Sequence, residues 1–126
     1  AQNFVSNMSD WMMAADVLIT KAGGLILSES MAAGLPVAIT GYIPGQEEGN
    51  LRYILGHQAG GWVANGQELA SRLNYWLADD QKHLALVASC ARDLGHPQAA
   101  LQIAAAMWEA AGRVEHQRED YEQNPE

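Results

Sequence analysis

With 126 residues, 48% of them apolar, the chain is long enough for one domain around one buried core. Seven Lys and Arg against fifteen Asp and Glu leave a formal net charge of −8, without the basic footprint of a nucleic-acid binder or of a protein that adheres to anionic membranes. The single cysteine, Cys90, excludes an internal disulfide framework and a cysteine zinc site, and no apolar run approaches the roughly 20 residues of a bilayer span.

Ala1 opens the chain without a methionine, and Asn3-Phe4-Val5 reads as a strand already under way, so a piece of a longer chain is expected. Phe4-Val5 is read as a short strand. Met8 to Ala15 follows as a short helix, with Asn7 or Ser9 as N-cap. Asp16-Val17-Leu18-Ile19-Thr20 is an apolar run with polar ends, rich in β-branched residues, and predicts a strand buried on both faces. Gly23-Gly24 punctuates it. A helix from Leu25 to Ala33 is stopped by Gly34 as its C′ residue, with Pro36 beyond. Pro36 to Thr40 predicts a second buried strand, and Gly41 to Gly45 a loop. Leu51, Ile54 and Leu55 share one face of a helix from Glu47 to Leu55, and Trp62-Val63 reads as a short strand. Two amphipathic helices come next, Gln67 to Leu77 through Leu69, Leu73 and Trp76, and Gln81 to Leu94 through Leu84, Val87 and Ala91. Gly95 ends the second, and Pro97 opens a last helix to about Ala111. Residues 112–126 hold five acids and almost no apolar side chain, and are expected to be an acidic, disordered tail. Strand and helix alternate through the first half, which calls for a parallel sheet with right-handed crossovers. The fold class expected for residues 1–111 is α/β, part of a doubly wound, Rossmann-like domain of about three or four strands with flanking helices and a helical C-terminal portion.

Thr20-Lys21-Ala22-Gly23-Gly24-Leu25-Ile26-Leu27-Ser28-Glu29 places two glycines at the carboxyl end of a strand, where open α/β sheets bind ligands. Two glycines allow a tight turn and a close approach of a ligand with no Cβ in the way. The following helix presents free N–H groups and about half a positive charge, which suits a phosphate or diphosphate. Glu29 lies about one and a half turns into that helix. A phosphate repels a carboxylate, so the fitting partner of Glu29 is a pair of sugar hydroxyls, as on a ribose. The same residues also suit a plain tight turn beside a surface acid, and the pattern is neither a P-loop nor the six-residue dinucleotide fingerprint. Ile43-Pro44-Gly45-Gln46-Glu47-Glu48-Gly49-Asn50 falls on the same rim after the second strand. Gln46, Glu47 and Asn50 offer the mixed donors and acceptors that sugar hydroxyls demand. Glu47 and Glu48 equally favour the first turn of a helix through its dipole.

Taken together, Phe4-Val5-Ser6-Asn7-Met8, Ala15 to Gly24, Ser28-Glu29-Ser30, Ala33-Gly34-Leu35-Pro36, Tyr42 to Glu47 with Asn50, and Ala91 to Pro97 form one ordered set of motifs. The set resembles the C-terminal domain of glycosyltransferase family 28, in its branch of monogalactosyldiacylglycerol synthases and processive diacylglycerol glucosyltransferases. The resemblance implies a two-domain GT-B enzyme, with this chain as the latter part of the nucleotide-sugar-binding domain. It implies that backbone groups near Val5 read the uracil edge and that Gly23, Gly24 and the N–H groups of Leu25 and Ile26 hold the diphosphate. It further implies that Glu29 binds the ribose hydroxyls, that Gln46 and Glu47 contact the hexose, and that Asn50 braces their loop. Lys21 would help to neutralise the diphosphate. The implied reaction is metal-independent transfer of glucose or galactose from a UDP-hexose to a lipid such as diacylglycerol, with no cofactor beyond the donor. Its base would come from an N-terminal acceptor domain outside this chain, so no catalytic residue is assigned here and the fragment alone is expected to be inactive. The expected compartment is cytoplasmic, with the full protein peripheral on a membrane. Ile26 departs from the Thr or Ser that many relatives carry there, which removes a charge-assisted hydrogen bond of about 1.5–3 kcal/mol. Three other readings stay open: a non-catalytic module that keeps the fold, an N-acetylglucosaminyltransferase of the peptidoglycan-precursor type, and an unrelated flavodoxin-like or Rossmann-like domain that binds another phosphate.

The remaining conspicuous residues suggest packing. His57, His83, His96 and His116 lack ligand spacing with one another or with Cys90, so no metal site is expected. Cys90 reads as a small core residue, and Trp11, Trp62, Trp76 and Trp108 with Met12, Met13 and Met107 as core or interdomain packing. Part of a domain exposes apolar surface where its missing strands would dock, so a homodimer through paired sheet edges is expected.

Overall fold

The computed structural model describes the backbone of residues 4–123 and the side chains of residues 4–112. The chain forms two compact units, Ala1–His96 and Pro97–Glu126. The first contains α1 (Met8–Ala14), β1 (Leu18–Lys21), α2 (Gly24–Ala32), β2 (Val37–Gly41), α3 (Glu48–Gly56), β3 (Gly60–Trp62) and α4 (Gly66–Asp93). Its strands pair in parallel in the order β1-β2-β3, with Leu18 opposite Val37 and Ile39 opposite Trp62. Each parallel pair needs a crossover, and α2 and α3 supply them.

β2 is central because its side chains are apolar on both faces. Val37 and Ile39 pack with Leu27 and Met31 of α2, Ile54 of α3 and Ala91 near the end of α4. Ala38 packs in a second cluster with Val63, Trp76 and Leu84. Val37, Ala38 and Ile39 are fully buried, and burial of the Val37 and Ile39 side chains contributes about 1.5–3 kcal/mol each. Cys90 is partly buried against the first cluster. Of the aromatic and methionine residues expected inside, Trp76 and Met12 are buried and Trp62 is half-buried. Trp11, Met13, Met107 and Trp108 are exposed.

β1 differs from its expected burial on both faces. Its residues alternate between half-buried and exposed, and Ile19 is 49% exposed. Among the described residues β1 has a strand on one side only, so its apolar run is not enclosed. The strand expected at Phe4-Val5 is not formed either. A strand exists through its ladder, and this segment has no ladder to a neighbour among the described residues.

α2 ends in a Schellman motif. Gly34 N–H bonds Met31 O at 2.9 Å and Leu35 N–H bonds Ser30 O at 2.8 Å, with Gly34 at φ +68°. α4 begins with a reciprocal cap: Asn65 Oδ1 accepts from Glu68 N–H at 3.0 Å, and Glu68 Oε2 accepts from Ala64 N–H at 2.9 Å. Inside α4, Ala78 is extended and Asp79, Asp80 and Gln81 have positive φ, so the element is two helical arms joined by a break. That break falls between the two helices read from the sequence. The second unit contains α5 (Ala99–Gln123). The helical backbone therefore continues into the acidic stretch expected to be a tail. The side chains of that stretch lie outside the described residues.

Candidate functional site

Lys21 ends β1, Ala22 is fully buried, and Gly23 starts the turn into α2. Gly23 N–H closes the turn on Lys21 O at 2.8 Å, and Ala22 N–H is tied to Gly41 O at 2.8 Å. The carboxyl ends of β1 and β2 are thereby held side by side. Gly23 has φ −71° and ψ 135°, an ordinary extended conformation open to any residue. A Cβ there would meet Ile26 Cγ2 at 3.5 Å, Lys21 Nζ at 3.6 Å and Glu47 Oε1 at 3.7 Å, which is normal contact. At Gly24, the first residue of α2, a Cβ would meet only Asn50 Nδ2, at 3.6 Å. Neither the backbone nor the packing of the free chain demands a glycine at either position.

After β2, the chain turns through Ile43, Pro44, Gly45 and Gln46 to Glu47. Glu47 N–H bonds Ile43 O at 2.8 Å, and the Glu47 carboxylate returns the bond, Oε2 accepting from Ile43 N–H at 2.9 Å. Its Oε1 accepts from Lys21 Nζ in an ion pair. Glu47 is one of two buried polar residues among those described, the other being Ser30. The hydrogen bond from Lys21 is the main reason its carboxyl stays below the usual glutamate range; burial pushes the other way and is outweighed, with the Ile43 N–H assisting. Asn50 Nδ2 donates to Ala22 O at 3.0 Å, so α3 is tied to the turn that precedes α2. Lys21, Gly23, Gly24, Ile26, Glu47 and Asn50 therefore form one connected rim.

The other sequence-selected residues take distinct places. Leu25 is exposed in the first turn of α2, and Ile26 is half-buried against the core. Ile26 is thus used for packing. Glu29 is exposed one turn further along α2. Gln46 is exposed on the 43–47 turn, while both oxygens of Glu47 already have partners within the chain, which a hexose hydroxyl would have to share. Val5 is half-buried in the irregular segment before α1. Sequence reasoning missed the Lys21–Glu47 pair. Its members are 26 positions apart, and only the parallel pairing of β1 with β2 brings them together. It also missed Tyr42, which meets Trp62 edge-to-face with ring centroids 5.7 Å apart. Trp62 in turn borders a groove of about 440 Å3 shared with Arg72 and Tyr75. Among the described residues no group of three His, Cys, Asp or Glu could hold a metal ion, and no helix is long and apolar enough to cross a membrane.

No family model matches the chain. Curated proteins do. Monogalactosyldiacylglycerol synthase 3, chloroplastic, of Arabidopsis thaliana is 34% identical over 102 residues, which are 81% of this chain and 22% of that protein. Monogalactosyldiacylglycerol synthase 1, chloroplastic, of the same plant is 33% identical over 108 residues, 86% of this chain and 20% of the relative. The monogalactosyldiacylglycerol synthase, chloroplastic, of Spinacia oleracea is 31% identical over 102 residues. The chain thus spans about a fifth of the length of the curated relatives it matches.

Proposed function

The chain belongs to the glycosyltransferase family of the monogalactosyldiacylglycerol synthases, and we propose on that premise that it is the part that binds the nucleotide-sugar donor. The donor is a UDP-hexose, glucose or galactose, and the acceptor of the whole protein is a lipid hydroxyl such as that of diacylglycerol. One observation supports this most: Gly23 and Gly24 have no internal reason to be glycine, and they stand at the N-terminus of a nine-residue helix on the carboxyl rim of a parallel sheet.

In this reading the diphosphate lies over Gly23 and Gly24 and accepts from the N–H groups of Leu25 and Ile26. Glu29 takes the ribose hydroxyls, Gln46 and Glu47 lie toward the hexose, and Asn50 keeps the two rim segments in register. Backbone groups near Val5 face the base. In the whole protein the acceptor oxygen forms a bond to the anomeric carbon as the bond to the diphosphate oxygen breaks. The hydroxyl proton passes to a base supplied from outside this chain, and UDP departs with the bonding electron pair. The helix terminus and Lys21 stabilise the negative charge that accumulates on UDP. This chain alone is then a donor-binding part without transferase turnover.

Titration with UDP, followed by amide chemical shifts, tests the reading. Shifts are expected at Gly23, Gly24, Leu25 and Ile26, with binding weakened in Glu29→Ala. No binding at millimolar UDP, or shifts confined to other elements, would remove the donor-site assignment. Hexose transfer by this chain alone would contradict the separation of donor binding from the base.

A further inference from the structure

The Lys21–Glu47 pair extends the donor-site reading, and rests on it. Glu47 is 5% exposed and has both oxygens engaged. Lys21 is unlike its partner: its side chain is 56% exposed, and an ammonium group carries three donors, of which Glu47 accepts one. Both groups flank the glycine turn, at 3.6 Å and 3.7 Å from the point where a Gly23 Cβ would sit. A diphosphate over that turn reaches the ammonium and at the same time faces a carboxylate. Two anions this close repel each other unless one cation serves both.

We propose that Lys21 is a shared counter-ion, which holds Glu47 in the empty chain and donates its remaining N–H groups to the diphosphate when donor is bound. Glu47 is then a positioning residue. It aims Lys21 at the phosphates and, through the N–H of Ile43, fixes the turn that presents Gln46. The turn toward the hexose and the turn under the phosphates are thereby joined through one ammonium group, and a nucleoside diphosphate is preferred over a monophosphate.

The experiment compares UDP and UMP binding by calorimetry in the wild-type chain, Lys21→Met, Lys21→Arg and the double variant Lys21→Met/Glu47→Gln, with a thermal melt of each to confirm folding. UDP should bind the wild type more tightly than UMP. Lys21→Met should lose about ten- to hundred-fold for UDP and less than about three-fold for UMP. Lys21→Arg should keep the preference. The double variant should regain part of the UDP affinity, because the unpaired carboxylate is gone, while lacking the wild-type preference. If Lys21→Met does not fold, the double variant, which buries no charge at this pair, decides through its UDP-to-UMP ratio. A role confined to holding the loop would lower both affinities equally. Equal losses, or a double variant with the wild-type ratio, overturn the shared counter-ion and leave the donor site standing. A wild-type chain that binds neither nucleotide overturns both.

Discussion

At Gly24, the proposed donor role and stability pull in opposite directions. A glycine in a helix costs about 0.5–1 kcal/mol relative to alanine. The position has room for a Cβ, whose only near neighbour would be Asn50 Nδ2 at 3.6 Å. Gly24→Ala should therefore raise stability by about 0.4–1 kcal/mol, read as a higher urea midpoint, while it weakens UDP binding by placing a methyl group under the phosphates. An alanine variant that is both more stable and an unchanged binder would show that nothing approaches this backbone. Glu47 gives a second prediction at this scale. Its carboxyl is held below the ordinary 4.5 first by the Lys21 hydrogen bond. A depressed folded value means that the pair stabilises the fold above the unfolded value and ceases to do so as pH falls through the folded one. The stability gap between wild type and Glu47→Gln should be constant from about pH 8 to about pH 5 and should narrow below that. A gap that instead closes between neutral and alkaline pH would assign the stabilisation to another group.

The elements show what the amino-acid order specifies locally and what it does not. Gly34 was legible as a helix stop because glycine two residues before a proline has a local meaning, and the Schellman bonds at Met31 and Ser30 are made there. The constraint on Gly34 is stricter than its local role, since a Cβ would run into the side chain of Arg92 at the far end of α4. Gly34→Ala should lower stability by at least about 1 kcal/mol, the cost of a left-handed conformation for an L-residue, opposite in sign to Gly24→Ala. A urea midpoint equal to that of the wild type would mean that the turn relaxes freely. The two arms of α4 were legible from their separate apolar stripes, as were the strand–turn–helix order and the glycine rim. The burial of β1 was not, because an apolar run carries no information on how many neighbours it will have. Nor was the pairing of Lys21 with Glu47, since a contact across a parallel sheet leaves no local pattern. The type of Glu47 and its place on the rim could be read from the sequence, whereas the cation that engages it lies in another strand.

At the scale of the whole molecule, two surfaces are candidates for the self-association expected from the sequence. The outer edge of β1 is four residues long and ends in Lys21, a charge that discourages edge pairing. α5 offers Leu101, Ile103, Met107 and Trp108, each at least 60% exposed. A buried tryptophan alone covers about 150–250 Å2, and exposed apolar patches of a few hundred Å2 mark interaction surfaces. The helix therefore outweighs the strand edge as the origin of any association. The chain is expected to elute from size-exclusion chromatography at an apparent mass that rises with loading concentration. Replacing Leu101, Met107 and Trp108 together with serine should remove most of that rise, whereas Ile19→Lys on β1 should remove little. The reverse ranking would place the contact on the sheet edge, and a concentration-independent monomer would exclude both. The proposed UDP binding provides the internal control: the α5 variant alters residues in the second compact unit, none of them among Lys21, Gly23, Gly24, Glu47 and Asn50, and should leave nucleotide affinity within about two-fold of the wild type.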